Sequence, residues 1–330
     1  MDRRNFLKYA GLTTLYTSAT FHSSFRPAGS ATAIGSKNTT VCLVKGTSRF
    51  ENLMNVLEEL GPGIKEQIGE KQVVIKPNFV STTKQLAGTH VDALRATLEF
   101  LKPFYKKKII IAESAGGGTA MDGYKNFGHL SLADTYNVEF RDLNQDDPYP
   151  VYILDKNKHP LKIMISKLLV SPDTYLISSA ILKTHNCVVA TLSTKNIAMG
   201  APLITDKHYK GLVHQGTKEI NYNLFRIAQV VRPHLALIDG FEAMEGNGPV
   251  GGTPVPAKIA LGSTDMIAAD RVAVECMGID YKKIGYLQFC AAANLGQDDL
   301  SKIDVKGERI ENCIQKFRLH DNIEEQYLWQ

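Results

Sequence analysis

The residues able to do chemistry in this chain gather where its apolar runs stop. QVVIK ends in Lys76-Pro77-Asn78, and KIIIA runs into Glu113-Ser114 and then Gly116-Gly117-Gly118-Thr119. YLISSAIL ends in Lys183-Thr184-His185, and HLALID ends at Asp239, where DGFEAMEGNGPVGG begins and sets Glu242 and Glu245 among five glycines. Lysine, carboxylate and imidazole together are the groups of acid–base work on an anion. Lysines brought close depress one another's pKa, so that one can act as a general base or form a Schiff base near neutral pH. Oxygen ligands with one imidazole suit a divalent cation such as Mg²⁺, Mn²⁺, Fe²⁺ or Zn²⁺ equally well. The candidates for catalysis are Lys183, His185, Lys195 and Glu245. Asp239 and Glu245 are the candidates for a divalent metal.

Two further stretches add to this set. In ATLSTKNIAMG, Ser193 is expected to cap a short helix, which puts Lys195 in its first turn against the positive end of the backbone dipole. A lysine so placed calls for an anionic partner, either a bound ligand or one of the carboxylates. Asn196 beside it offers donor and acceptor. The irregular segment 200–216 carries His208 and His214 and has the length of a lid or binding loop. Gly116, Gly117 and Gly118 could let backbone N–H groups wrap a phosphate or carboxylate, although the run is neither GxGxxG nor a P-loop. The ligand- or cofactor-holding set is therefore Lys76, Asn78, Glu113, the three glycines, Asn196 and His214. Farther on, Met266, Asp270, Ala273 and Met277 form one helical stripe, in which a carboxylate needs a partner; Asp265 is expected as the cap of that helix.

The elements that must position these residues alternate in type. VCLV, QVVIK, KIIIA, YLISSAIL, HLALID and KIALG read as six strands, mostly continuous apolar runs of the kind buried on both faces. THVDALRATLEFL, with Thr89 and Asp92 in a capping-box pattern, EINYNLFRIAQVV and TDMIAADRVAVECM read as helices between them. This order predicts an α/β fold with a mixed, largely parallel sheet flanked by helices, and a site at the carboxyl ends of the strands. DLNQDDPYPVYILDKNKHPLKI is polar and turn-rich, an excursion able to form a hairpin.

Composition narrows the partners. The chain has 330 residues, 44% hydrophobic and 22% charged, well inside the globular range. Of its formal charge of +4, the first 33 residues carry +3, so the body offers no footprint for a nucleic-acid backbone. Five scattered cysteines show neither CxxC nor finger spacing, which argues against an iron–sulfur cluster held by four local cysteines. The start, DRRNFLKYAGLTTLYTSATFHSSFRPAGSATA, resembles a twin-arginine export signal through Arg3-Arg4 and the following Phe-Leu and lysine, with Ala31-Thr32-Ala33 as a cleavage site. It is too weakly apolar for a membrane span. The expected organisation is a signal peptide over 1–33 and a single α/β domain over 34–330, exported folded by the twin-arginine machinery to the periplasm or another extracytoplasmic space.

VIKPNFV, AESAGGG, LKTHNCVVATLSTKNIAMG, LALIDGFEAMEGNGPVGGTPV and STDMIAADRVAVECMG occur in the order and approximate spacing of the domain of unknown function 362, which the chain resembles over roughly residues 70–280. The resemblance implies that Lys76, Asn78, Glu113, Lys183, His185, Lys195, Asn196, His214, Asp239, Glu245 and Asp270 are motif positions. It supplies no reaction, and the ferredoxin-type cysteine clusters of many members are missing here. The expectation is an exported enzyme acting on a small anionic substrate by lysine and carboxylate acid–base chemistry or with metal assistance. The alternative is a cofactor-binding redox or ligand-binding module without catalysis of its own.

Overall fold

The structure, a computed structural model, describes residues 39–330. The export-signal reading of 1–33 therefore lies outside the described residues. Twelve strands are present among them: β1 Thr39–Lys45, β2 Gln72–Lys76, β3 Ile109–Glu113, β4 Val138–Asp142, β5 Pro148–Leu154, β6 Pro160–Ser166, β7 Thr174–Thr184, β8 Ala190–Thr191, β9 Leu235–Glu245, β10 Thr253–Val255, β11 Ile259–Ser263 and β12 Ile303–Gly307. Ten form one sheet along the order β12-β1-β11-β9-β7-β2-β3-β4, with β10 paired to β9 and β8 to β7. Along that path only β11 opposes its neighbours; β9, β7, β2, β3 and β4 are successively parallel. β5 and β6 pair antiparallel as a separate hairpin, where the polar excursion was expected to form one.

The helices that matter for the site are α1 Arg49–Ile68, α2 Val91–Leu101, α3 Ala120–Asn126, α4 Ser193–Gly200, α5 Tyr209–Leu212, α6 Thr217–Ala228 and α7 Met266–Cys276. Alternate residues of the strands, Val73, Ile75, Ile109, Ile111, Tyr175, Ile177, Leu235 and Leu237, share one apolar cluster with Leu53, Val56 and Leu57 of α1 and Leu94 and Leu98 of α2. The opposite side chains are buried as well, and there the Ser178 hydroxyl donates to the Ser193 carbonyl at the start of α4. This two-sided burial is why the central strands read as unbroken apolar runs rather than alternating ones. No helix among the described residues is long and apolar enough to cross a membrane.

Three local readings are corrected. The cap of α2 is His90 rather than Thr89, whose hydroxyl accepts from the Asn78 N–H and donates to the Ser179 carbonyl. Leu192, not Ser193, stands at the N-cap of α4, because a carboxylate from another helix does the capping there. The stretch from Asp239 to Glu245 is strand and not loop, since β11 pairs with its start and β10 with its end. Gly240 permits this: a Cβ there would stand 2.8 Å from Ile259 Cγ1 and 2.9 Å from Leu182 Cδ2. Asp265 caps α7 as expected, accepting from the N–H groups of Ile267 and Ala268.

Candidate functional site

Past the carboxyl ends of β2, β3 and β7 lies a cleft of about 350 Å³. Its lining brings together Lys76, Asn78, Glu113, Gly116, His185, Lys195, Asn196 and His214 from the expected set. Sequence reasoning missed Lys210, Ser114, Cys187 and Thr191 as lining residues, and weighed His208 without selecting it. The only available signal for Lys210 was its place in the 200–216 segment, which folds in part into α5 and presses that lysine into the cleft wall.

The cleft floor is a connected polar network. Lys76 Nζ donates to Glu113 Oε2 at 2.8 Å, to Asn196 Oδ1 at 3.0 Å and to the Pro77 carbonyl at 2.8 Å. Glu113 also accepts from the backbone N–H groups of Phe79 and Ser114. Asn196 Oδ1 takes a second donor, Asn78 Nδ2, at 3.0 Å, and Asn78 Oδ1 accepts from Lys183 Nζ at 2.6 Å. Lys183 is fully buried beneath the cleft and also donates to the Ala87 carbonyl. Glu113, the only acidic residue in the lining, thus has both oxygens occupied. Gly200 holds the packing tight, because a Cβ there would fall 1.9 Å from Lys76 Cε.

Two more lysines line the cleft. Lys210 Nζ donates to the Ser114 carbonyl and, at 2.9 Å, to Ser114 Oγ, which in turn donates to the Gly200 carbonyl. Lys195 is only 3% exposed and lines the cleft, yet among the described residues its ammonium has no hydrogen-bond or ion-pair partner. Burial draws the pKa of Lys195 down to about 8, with Lys210 and Lys76 adding to the fall and Cys187 opposing it. Lys210 is likewise drawn to about 8 by burial, against the pull of Glu113. Burial, and then Lys195, hold His185 well below the usual imidazole range and His214 near about 4. Both shifts favour the neutral ring at pH 7. His185 Nδ1 accepts from the Cys187 N–H and His208 Nδ1 from the Gly211 N–H, so when neutral each carries its proton on Nε2. Thr191 Oγ1, buried and lining the same space, has no hydrogen-bond partner.

Asp270 sets the pose of the helix that bears Lys195 and Asn196. From α7 it accepts the Ser193 N–H at 2.8 Å and the Thr194 N–H at 3.0 Å, satisfying two of the orphan donors of α4. This is the partner that a carboxylate in an apolar stripe requires. Burial raises its pKa from 3.8 to about 7. A folded-state value above the unfolded one means that the folded form binds the extra proton, so stability from this group is full below about pH 4 and is lost as pH rises through about 7. Asp270→Asn is expected to remove that acid-side gain, flattening the urea-midpoint profile between about pH 4 and pH 7, and to cost about 1–2 kcal/mol at neutral pH through the impaired cap.

The remaining candidates stand elsewhere. Asp239 is buried against Arg49, with Oδ2 at 2.9 Å from Nε, and accepts from the Phe241 N–H. Glu245 accepts from the Arg318 N–H at the far end of β9. Neither lines the cleft, and among the described residues no three His, Cys, Asp or Glu side chains come together as a metal-ligating group. The loop after Glu245 contributes Pro249 to the lining instead, and a Cβ on Gly248 would meet the Thr184 carbonyl at 2.2 Å. Gly116 reaches the lining, but its N–H is bonded to the Phe79 carbonyl; Gly117 and Gly118 lead outward to Thr119, the cap of α3.

A large, mostly parallel α/β sheet with a lysine-rich cleft beyond its strand ends is the setting in which the family enters. Residues 73–275, the greater part of the chain, match the model of the Domain of unknown function (DUF362), and the chain belongs to that family. It is 25% identical over 239 residues, 71% of each chain, to a thylakoid-associated protein of Synechocystis sp.. Among solved structures it is similar to the lactate racemase apoprotein of Thermoanaerobacterium thermosaccharolyticum, at a TM-score of 0.47 and 16% identity, covering 73% of this chain and 57% of that one. A protein from Thermotoga maritima is similar at a TM-score of 0.40 and 12% identity, covering 64% and 55%. These two structural likenesses are too distant to carry an argument about activity.

Proposed function

We propose that the protein is an enzyme that holds a small anionic substrate in this cleft and moves a proton on it with a lysine. The observation that carries the reading is Lys195, a buried lysine lining the cleft without an acceptor, in surroundings whose one carboxylate is already engaged. A bound anion would supply the missing counter-charge. Lys210 and the Nε2–H groups of His185 and His208 are further donors for it, and Lys195, with a pKa of about 8, can give or take a proton near neutrality. Lysine chemistry is favoured over metal-assisted chemistry because Asp239 and Glu245 are tied to Arg49 and the Arg318 backbone.

The test is calorimetric or NMR titration of inorganic phosphate and acetate across pH. Lys195 and Lys210 have lowered pKa values, so each is cationic below about pH 8 and loses its charge above it. Affinity should be greatest on the acid side and fall as pH rises through about 8, approaching about tenfold per unit for each proton lost. An affinity that is flat between about pH 7 and about pH 10 would sink the reading.

We place the protein outside the cytoplasm, on the twin-arginine pattern at Arg3-Arg4. Changing both arginines to lysine should leave the protein in the cytoplasmic fraction. Equal export of the parent and the double variant would remove this assignment.

A further inference from the structure

Four buried lysines surround the cleft, and three have oxygen partners that fix them. Lys76 is paired with Glu113, Lys183 is tied to Asn78 and the Ala87 carbonyl, and Lys210 is held on Ser114. Lys195 alone among them has none. In the same lining stand the orphaned hydroxyl of Thr191 and the ring of His185, whose Nδ1 accepts from the Cys187 N–H. Such an amine is not locked into a cation's role. With three other lysines near it and the single acid engaged, keeping a proton on Lys195 is costly and shedding it relieves repulsion.

We infer that Lys195 is a covalent-catalysis lysine, whose amine condenses with the carbonyl of a small 2-oxo acid while the Lys210 ammonium holds the acid's carboxylate. The inference rests on the anion-site reading above and names the substrate class for it. In the step, the Nζ lone pair forms a C–N bond to the carbonyl carbon, giving a carbinolamine. The carbonyl oxygen then departs as water with the two protons of the amine, leaving a C=N bond. No oxidant or reductant is required. Protonation of the imine nitrogen makes it an electron sink for breaking a bond at the neighbouring carbon. Thr191 Oγ1 and His185 Nε2–H are groups in the lining free to hydrogen-bond the oxygen while it is still attached. The cleft, at about 350 Å³, has room for such an acid.

The pKa of about 8, set mainly by burial, agrees with this role, since a useful fraction of neutral amine is then present near neutral pH. The test is reductive trapping: the intact protein is treated with sodium borohydride in the presence of pyruvate or of acetate, and peptides are mapped by mass spectrometry. Pyruvate should leave a stable adduct on Lys195 with the mass of the acid less one oxygen, more of it as pH rises toward about 8, while acetate leaves none. Lys195→Arg should lose the adduct. Binding of acetate and pyruvate without a trapped adduct, or an adduct on another lysine, would overturn the covalent role and leave the anion site standing. Absence of both binding and adduct would overturn both.

Discussion

Glu113→Ala should lower folding stability by about 3–5 kcal/mol, the usual cost of stripping one partner from a buried ion pair. The carboxylate is 1% exposed and answers three donors at once: the Lys76 ammonium and the N–H groups of Phe79 and Ser114. Truncation leaves a buried cation with only neutral oxygens around it and leaves two backbone donors without acceptors. Burial already draws the Lys76 pKa down, with Glu113 opposing, so without Glu113 the lysine is pushed toward neutrality. Urea denaturation should show the loss as a lower midpoint at unchanged slope. Adding Lys76→Met to Glu113→Ala should recover part of it, because the stranded charge is then gone. A Glu113→Ala cost below about 1 kcal/mol would mean that the pair contributes little to the fold.

Lys195→Met should act in the opposite sense. The folded-state pKa lies below the unfolded one, so the buried ammonium is a burden that is fully present below about pH 8 and relieved as the amine deprotonates toward pH 10.5. An apolar side chain of similar length removes that burden at neutral pH, and the variant should be as stable as the parent or more so. Anion affinity should drop by about 2–4 kcal/mol, on the order of a hundredfold, because a desolvated charge partner is lost. Gain of stability with loss of binding is the signature of a residue kept for function. A variant that loses stability and keeps its affinity would assign Lys195 to the fold instead.

Much of the scaffold was legible because buried parallel strands announce themselves as apolar runs: all six expected strands are present, and their ends carry Lys76, Glu113 and Lys183 as read. The short edge strands β4 and β12 were not legible, since half-exposed residues such as Glu139, Arg141 and Asp304 hide the pattern. In the site, residue type at a strand end was informative but orientation was not. Lys183 and Lys195 looked alike in sequence, yet one points beneath the floor onto Asn78 and the other lines the cleft. The carboxylates after HLALI looked available until pairing with β10 and β11 drew them into a strand. Lys210 and the capping by Asp270 depend on contacts between segments far apart in the chain, which no local pattern encodes.

The same long reach has a kinetic side. The bonds that build the cleft floor join residues 37, 105, 118 and 120 positions apart. Each closes a large loop whose entropy is lost before the contact repays it, so topologies of this kind fold slowly. The cleft floor is therefore expected to form late, when α4 docks and brings Asn196 to Lys76. A ligand titration followed during refolding would make the site its own clock, reporting the moment at which β2, β3, β7 and α4 have come together.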